Sequence, residues 1–129
     1  MTNLRDEGLN VFREMLPGIL PADLPNEKVN FGKGFANELM EIGIEGIFGR
    51  LWSREGLARR DRSLVTLGIL IALGAEDELE SHFRIAKQNG LTDEELAEVV
   101  YHASGYAGFP AANTAKAAAL RAFKPDHDL

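Results

Sequence analysis

The sequence predicts an all-α domain of about six helices, and three observations carry the prediction. Apolar residues recur three and four positions apart in segment after segment. No segment alternates with the period of two that a half-buried strand needs, and the breaks fall on helix-starting and helix-ending residues. With 129 residues, 45% apolar and 26% charged, the chain has the size and balance of one globular domain. It is read as a single domain over residues 1–129, with an N-terminal arm over about 1–31.

The first amphipathic segment covers about residues 4–16, with Leu9, Phe12 and Leu16 on one face. It stops at "LPGILPADLP", whose prolines cannot continue a helix. A second helix is expected over roughly 32–49, with a stripe of Phe35, Leu39, Ile42, Gly46 and Ile47. Gly43, Gly46 and Gly49 each cost that helix about 1 kcal/mol relative to alanine. Two explanations stand: close helix packing, or backbone making room for a ligand or a second subunit.

After the charged connection "LWSREGLARRDRS", Asp61 or Ser63 is placed to cap a third helix over about 62–74. That helix is apolar almost all round, so it should be buried on every side, in the domain centre or at an interface. Gly74 interrupts it, and a fourth helix runs from Glu76 to about Asn89, where Gly90 suits the left-handed position after a helix. "TDEE" at 92–95 is a capping box and opens a fifth helix, with Leu96, Val99, Val100 and Ala103 facing inward. "GYAGFP" ends it, and Pro110 fits the first turn of a sixth, alanine-rich helix reaching about Phe123. Such a helix packs its backbone close to a neighbour.

Composition narrows the function. A net charge of −6 argues against binding nucleic acid or anionic lipid through the overall field, so an anionic ligand needs a local basic patch. There is no cysteine, which removes disulfides, thiolate metal sites and thiol peroxidase chemistry. No glycine-rich phosphate loop with its lysine occurs, and no cofactor is expected. The longest apolar run, 64–75, is too short to span a bilayer, and the amino terminus lacks a basic start before an apolar stretch, so the expected compartment is cytoplasmic.

Three groups of residues carry chemistry. Glu78 and His82, four apart with the acid toward the amino end, share one helical face in an orientation that favours a carboxylate–imidazole bond. Such a partner tends to raise the histidine pKa, which suits a general acid; by spacing alone, an ordinary salt bridge is the commoner outcome. His102 stands four residues before Tyr106, either as a half-buried histidine with a satisfied hydrogen bond or as the wall of a pocket. Glu78, His82 and His102 have donor atoms that suit zinc or manganese, but no close-spaced three-ligand motif is present and no metal is expected. Arg54, Arg59, Arg60 and Arg62 form a basic cluster that either holds a small dianion through guanidinium forks or pairs with Glu55 and Asp61 as a solvated loop.

Over residues 38–120 these features resemble the carboxymuconolactone decarboxylase family: Trp-Ser-Arg at 52–54, Glu-x-x-x-His at 78–82, Asn-Gly-x-Thr-x-Glu-Glu at 89–95, and Tyr-Ala-Gly-x-Pro-Ala-Ala at 106–112. The resemblance extends to the alkylhydroperoxidase D-like fold, whose redox members carry Cys-x-x-Cys where this chain has Ala75 and Glu78, with His82 kept. It implies a homo-oligomer, commonly a hexamer built as a trimer of dimers, and a small anionic lactone as substrate. It implies decarboxylation without a cofactor, in aromatic-compound catabolism, because the lactone carbonyl accepts the electrons released with carbon dioxide. Within it His82 is the expected proton donor and Glu78 its partner, while Arg62 is the carboxylate anchor. His102, Tyr106 and Trp52 are the remaining expected substrate contacts. The alternatives are a related lyase, isomerase or cyclase on another small carbonyl acid, or an oligomeric binding protein without catalysis.

Overall fold

The computed structural model describes residues 3–20 and 34–124, which form six α-helices and one π-helix, with no strand among the described residues. The chain divides into two compact units, Met1–Leu57 and Ala58–Leu129. Most of the proline-rich arm and the start of the second predicted helix lie outside the described residues.

In the first unit, α1 (Leu4–Met15) begins at Asn3, whose side-chain oxygen accepts from the Asp6 amide at 2.8 Å. It buries Leu9, Val11, Phe12 and Met15. The second predicted helix takes a different form: a short α2 (Leu39–Gly43) runs straight into a nine-residue π-helix, Ile44–Trp52. Three glycines give this segment little intrinsic preference for the α register, so packing decides its geometry. The predicted apolar stripe also lies outward. Phe35, Leu39, Ile42 and Ile47 are exposed, whereas Glu41, Ile44, Gly49 and Trp52 are buried. Glu41 is drawn inward by Arg5, which donates from Nε at 2.8 Å and from Nη2 at 3.0 Å in a bidentate pair that keeps the guanidinium charged.

Glycine makes the contact between α1 and the π-helix possible. A Cβ on Gly8 would lie 2.0 Å from the Ile44 carbonyl oxygen, and one on Gly49 would lie 2.1 Å from that of Leu4. Close packing is therefore the answer at Gly49, while Gly43 and Gly46 have nothing within 4 Å of a built Cβ. Phe12 and Phe48 complete the contact edge to face, with centroids 5.1 Å apart.

The second unit contains α3 (Arg59–Leu73), α4 (Glu76–Gln88), α5 (Asp93–Tyr106) and α6 (Phe109–Ala122). Their core is Leu67, Ile71, Leu79, Phe83, Leu91, Leu96 and the alanines Ala115, Ala118, Ala119 and Ala122. The alanine row of α6 is buried within this core. The Thr92–Glu95 capping box is formed in both directions, at 2.9 and 3.1 Å. Gly74, Gly90 and Gly108 take the positive φ angles that end or start helices there.

One expectation for α3 needs correction, and a second is narrowed to its interface alternative. The helix starts earlier, at Arg59 after Ala58, so neither Asp61 nor Ser63 is its cap. Asp61 sits in the first turn, favourable for the helix dipole, and Ser63 is buried, accepting from Asn89 Nδ2 at 3.0 Å. Within one chain α3 is also not buried on every side. Leu67 and Ile71 are enclosed, but Val65 and Ile69 are each 55% exposed and Leu73 73%.

Candidate active site

The core row of α4 is Leu79, Phe83 and Ala86, and the row one residue earlier on the helix is Glu78 and His82. That row stands at the edge of the core. Glu78, in the first turn with Glu76 and Asp77, suits the positive end of the helix and reaches solvent. His82, one turn further in, is largely buried. Its Nε2 lies 3.9 Å from Glu78 Oε2, with the side chains 13% and 68% exposed.

That distance is ion-pair range, beyond a hydrogen bond. Its consequence reverses the expected sign of the histidine shift. Burial lowers the His82 pKa from its ordinary value, and the largely solvated Glu78 opposes the shift only in part. Burial therefore favours the neutral imidazole at pH 7.

The Asn89–Ser63 hydrogen bond ties the carboxyl end of α4 to the amino end of α3. Arg62, next to Ser63, belongs to that level, and Glu78 belongs to the other end, after the Gly74 turn. His82 and Asn89 are seven residues apart in sequence, roughly 10 Å along the axis. Arg62 and His82 are thus set on different helices, at levels about two turns apart. Within the arginine cluster, Arg60 is occupied by Glu95 and lies 3.6 Å from Asp61, so it braces the capping box of α5. Arg54, Arg59 and Arg62 are also engaged with neighbouring groups.

His102 and Tyr106 stand together, ring centroids 5.2 Å apart and tilted by 32°. They line a groove of about 350 Å³ between α3 and α5, with Leu64, Gly68, Ala72, Val99, Ala103 and Ala107. Neither Glu78, His82 nor Arg62 lines it. Among the described residues no three His, Asp or Glu side chains are grouped to hold a metal ion, and His102 is not joined with Glu78 and His82. Trp52 is buried at the end of the π-helix in the first unit. The groove was not read from the sequence, although its signal was present: small residues four apart on both helices, Gly68 with Ala72 and Ala103 with Ala107.

A family model described as the carboxymuconolactone decarboxylase family matches residues 38–121. A 4-carboxymuconolactone decarboxylase of Acinetobacter baylyi is 43% identical over 119 residues, covering 92% of this chain and 85% of that protein. A nitrosuccinic acid decarboxylase of Metarhizium robertsii is 36% identical over 107 residues, 83% of this chain and 72% of its own length. An uncharacterised 15.0 kDa protein of Paracoccus denitrificans is 37% identical over 70 residues, about half of each chain.

Proposed function

Because the chain belongs to the carboxymuconolactone decarboxylase family, we propose that it is a carboxy-lyase acting on 4-carboxymuconolactone or a closely similar carboxylated lactone. The observation that carries this reading is the 43% identity to a decarboxylase so named across 92% of the chain. The neutral, largely buried His82 beside Glu78 supports it from the side of chemistry.

The substrate carries a carboxylate on the ring carbon next to the ring oxygen, and a second carboxylate on its carboxymethyl arm. The bond between ring carbon and carboxylate breaks, carbon dioxide leaves, and the electron pair moves through the ring double bond onto the lactone carbonyl oxygen. The dienolate then takes a proton at the carbon next to that carbonyl, and the ring double bond is left at the ring carbon that carried the carboxylate. The reaction consumes one proton, and the lactone is its own electron sink.

His82 supplies that proton. The incoming dianion favours the imidazolium and so loads an imidazole that burial keeps neutral in the free protein. Glu78, 68% exposed, connects the buried ring with solvent and returns the proton after turnover. Arg62 takes a carboxylate of the substrate. His102 and Tyr106 line the α3–α5 groove, and in this reading proton transfer is assigned to Glu78 and His82.

Purified protein should discharge the lactone's ultraviolet absorbance with release of one carbon dioxide per lactone. Absence of turnover with 4-carboxymuconolactone would overturn the reading. The nitrosuccinic acid decarboxylase relative favours a second reading, a carboxylate whose sink is another acceptor group, and a panel including nitrosuccinate separates the two. The active form in this proposal is a homo-oligomer, a hexamer built as a trimer of dimers, in the cytoplasm. The exposed apolar side chains of α3 support self-association. Among the described residues no helix is long and apolar enough to cross a membrane.

A further inference from the structure

The second unit holds a further cavity of about 220 Å³, walled by α5 and α6, to which α4 contributes Phe83. It shares no residue with the α3–α5 groove, and neither Glu78, His82 nor any arginine of the 54–62 segment lines it. Lys87 marks one end. Its Nζ lies 3.1 Å from Asp93 and 4.6 Å from the centre of the Phe123 ring, so the start of α5 and the end of α6 stand together there. Tyr101 lies about 12 Å along α5 from Asp93, and Lys116 about 10 Å along α6 from Phe123, which sets them both at the opposite end.

The two ends differ in charge. At the first, Lys87 neutralises Asp93. At the second, Lys116 forms no ion pair among the described residues, and it shares the wall with the Tyr101 phenol. An acidic protein thus keeps one uncompensated ammonium on the rim of an apolar cavity. Between the ends lie Leu96, Val100 and Ala119, and Phe83 meets Phe123 edge to face, with ring centroids 6.1 Å apart and planes at 81°.

We propose that this cavity binds an aromatic monocarboxylate of one ring, its carboxylate on the Lys116 ammonium and Tyr101 hydroxyl and its ring against Leu96, Val100 and the Phe83–Phe123 pair. Size sets the first limit, because the cavity is smaller than the roughly 300–1,000 Å³ that drug-sized ligands occupy. Charge sets the second: a carboxylate complements Lys116, whereas a neutral or cationic head leaves that ammonium without a counter-charge. The aromatic pair sets the third, offering ring faces and edges to a ligand ring. A second carboxylate across the ring would be carried towards Asp93, so the site selects against dianions. That separates its ligand from the dianionic lactone proposed above.

Fluorine NMR line broadening of 4-fluorobenzoate at constant ionic strength tests the site, with circular dichroism as the check on folding. Lys116→Gln is expected to weaken binding about tenfold and Tyr101→Phe about threefold, while Lys116→Arg keeps most of it. Benzoate should displace the probe. Benzamide, the neutral counterpart, and terephthalate, with its second carboxylate, should do so at least about tenfold less well. Arg62→Gln should leave binding unchanged, since Arg62 does not line the cavity. A wild type that gives no broadening overturns the proposal, and so does binding that survives Lys116→Gln intact. Displacement by benzamide as effective as by benzoate overturns the carboxylate specificity. Binding lost in Arg62→Gln but kept in Lys116→Gln would move the ligand to the candidate active site and equally sink this one.

Discussion

At His82 burial opposes the acid catalysis proposed for it, and this fixes the expected behaviour of its variants. A positioned general acid contributes about 10²–10⁴-fold, so His82→Asn should cut kcat by that order. Glu78→Gln keeps the shape and removes the charge that favours the imidazolium, and it should lower kcat by a smaller factor while leaving circular dichroism unchanged. Steady-state turnover measures both, and full activity in either would remove that residue from the mechanism. The pH dependence has a definite sign. Free enzyme holds His82 with a lowered pKa, and a bound dianion is expected to raise it, so the alkaline fall in kcat should lie at higher pH than the alkaline fall in kcat/KM. The same shift acts on stability. The folded pKa lies below the unfolded value of 6.5, so on acidification the unfolded chain binds the proton first. His82's contribution is complete above about 6.5 and declines as pH falls towards the folded pKa. Urea midpoints between pH 7 and pH 5.5 should therefore fall more steeply for wild type than for His82→Gln.

At the scale of elements, the glycine pair Gly8 and Gly49 holds α1 and the π-helix at backbone contact. Gly8→Ala would raise helix propensity but drive a methyl group into the Ile44 carbonyl, a backbone atom without a rotamer to yield. Overpacking typically costs about 1–3 kcal/mol and should dominate, lowering the denaturation midpoint. A midpoint that rises would mean the contact is looser than its geometry. What was legible at this scale follows from whether a signal is local. The Thr92–Glu95 capping box, the left-handed Gly90 and Pro110 in the first turn of α6 need only neighbours in sequence, and each stands where the pattern puts it. The start of α3, the π register of Ile44–Trp52 and the inward turn of Glu41 depend on partners distant in sequence, Asn89 for Ser63 and Arg5 for Glu41. The site divides in the same way. The Glu78–His82 spacing was legible, but the burial that reverses the histidine shift comes from packing that spacing does not encode.

For the molecule as a whole, the dianionic substrate proposed above must approach a protein of net charge −6. Two electrostatic effects then compete, and their ranges differ. The repulsive field of the whole surface acts over tens of ångströms, while an arginine fork holds a carboxylate at contact. Salt screens the first before the second, because the Debye length shortens from about 30 Å at 0.01 M to 10 Å at 0.1 M and only about 3 Å at 1 M. KM for the lactone should accordingly fall between 0.01 and 0.1 M salt as repulsion is screened, then rise towards 1 M as the arginine contact weakens. Replacing Arg62 by Gln should raise KM throughout and flatten the rise at high salt while preserving the fall at low salt. Initial rates at three ionic strengths test this directly. A KM that climbs from the lowest salt onward would mean that the basic cluster alone governs capture. A high-salt rise left intact by Arg62→Gln would assign the anchor to another arginine of the 54–62 segment.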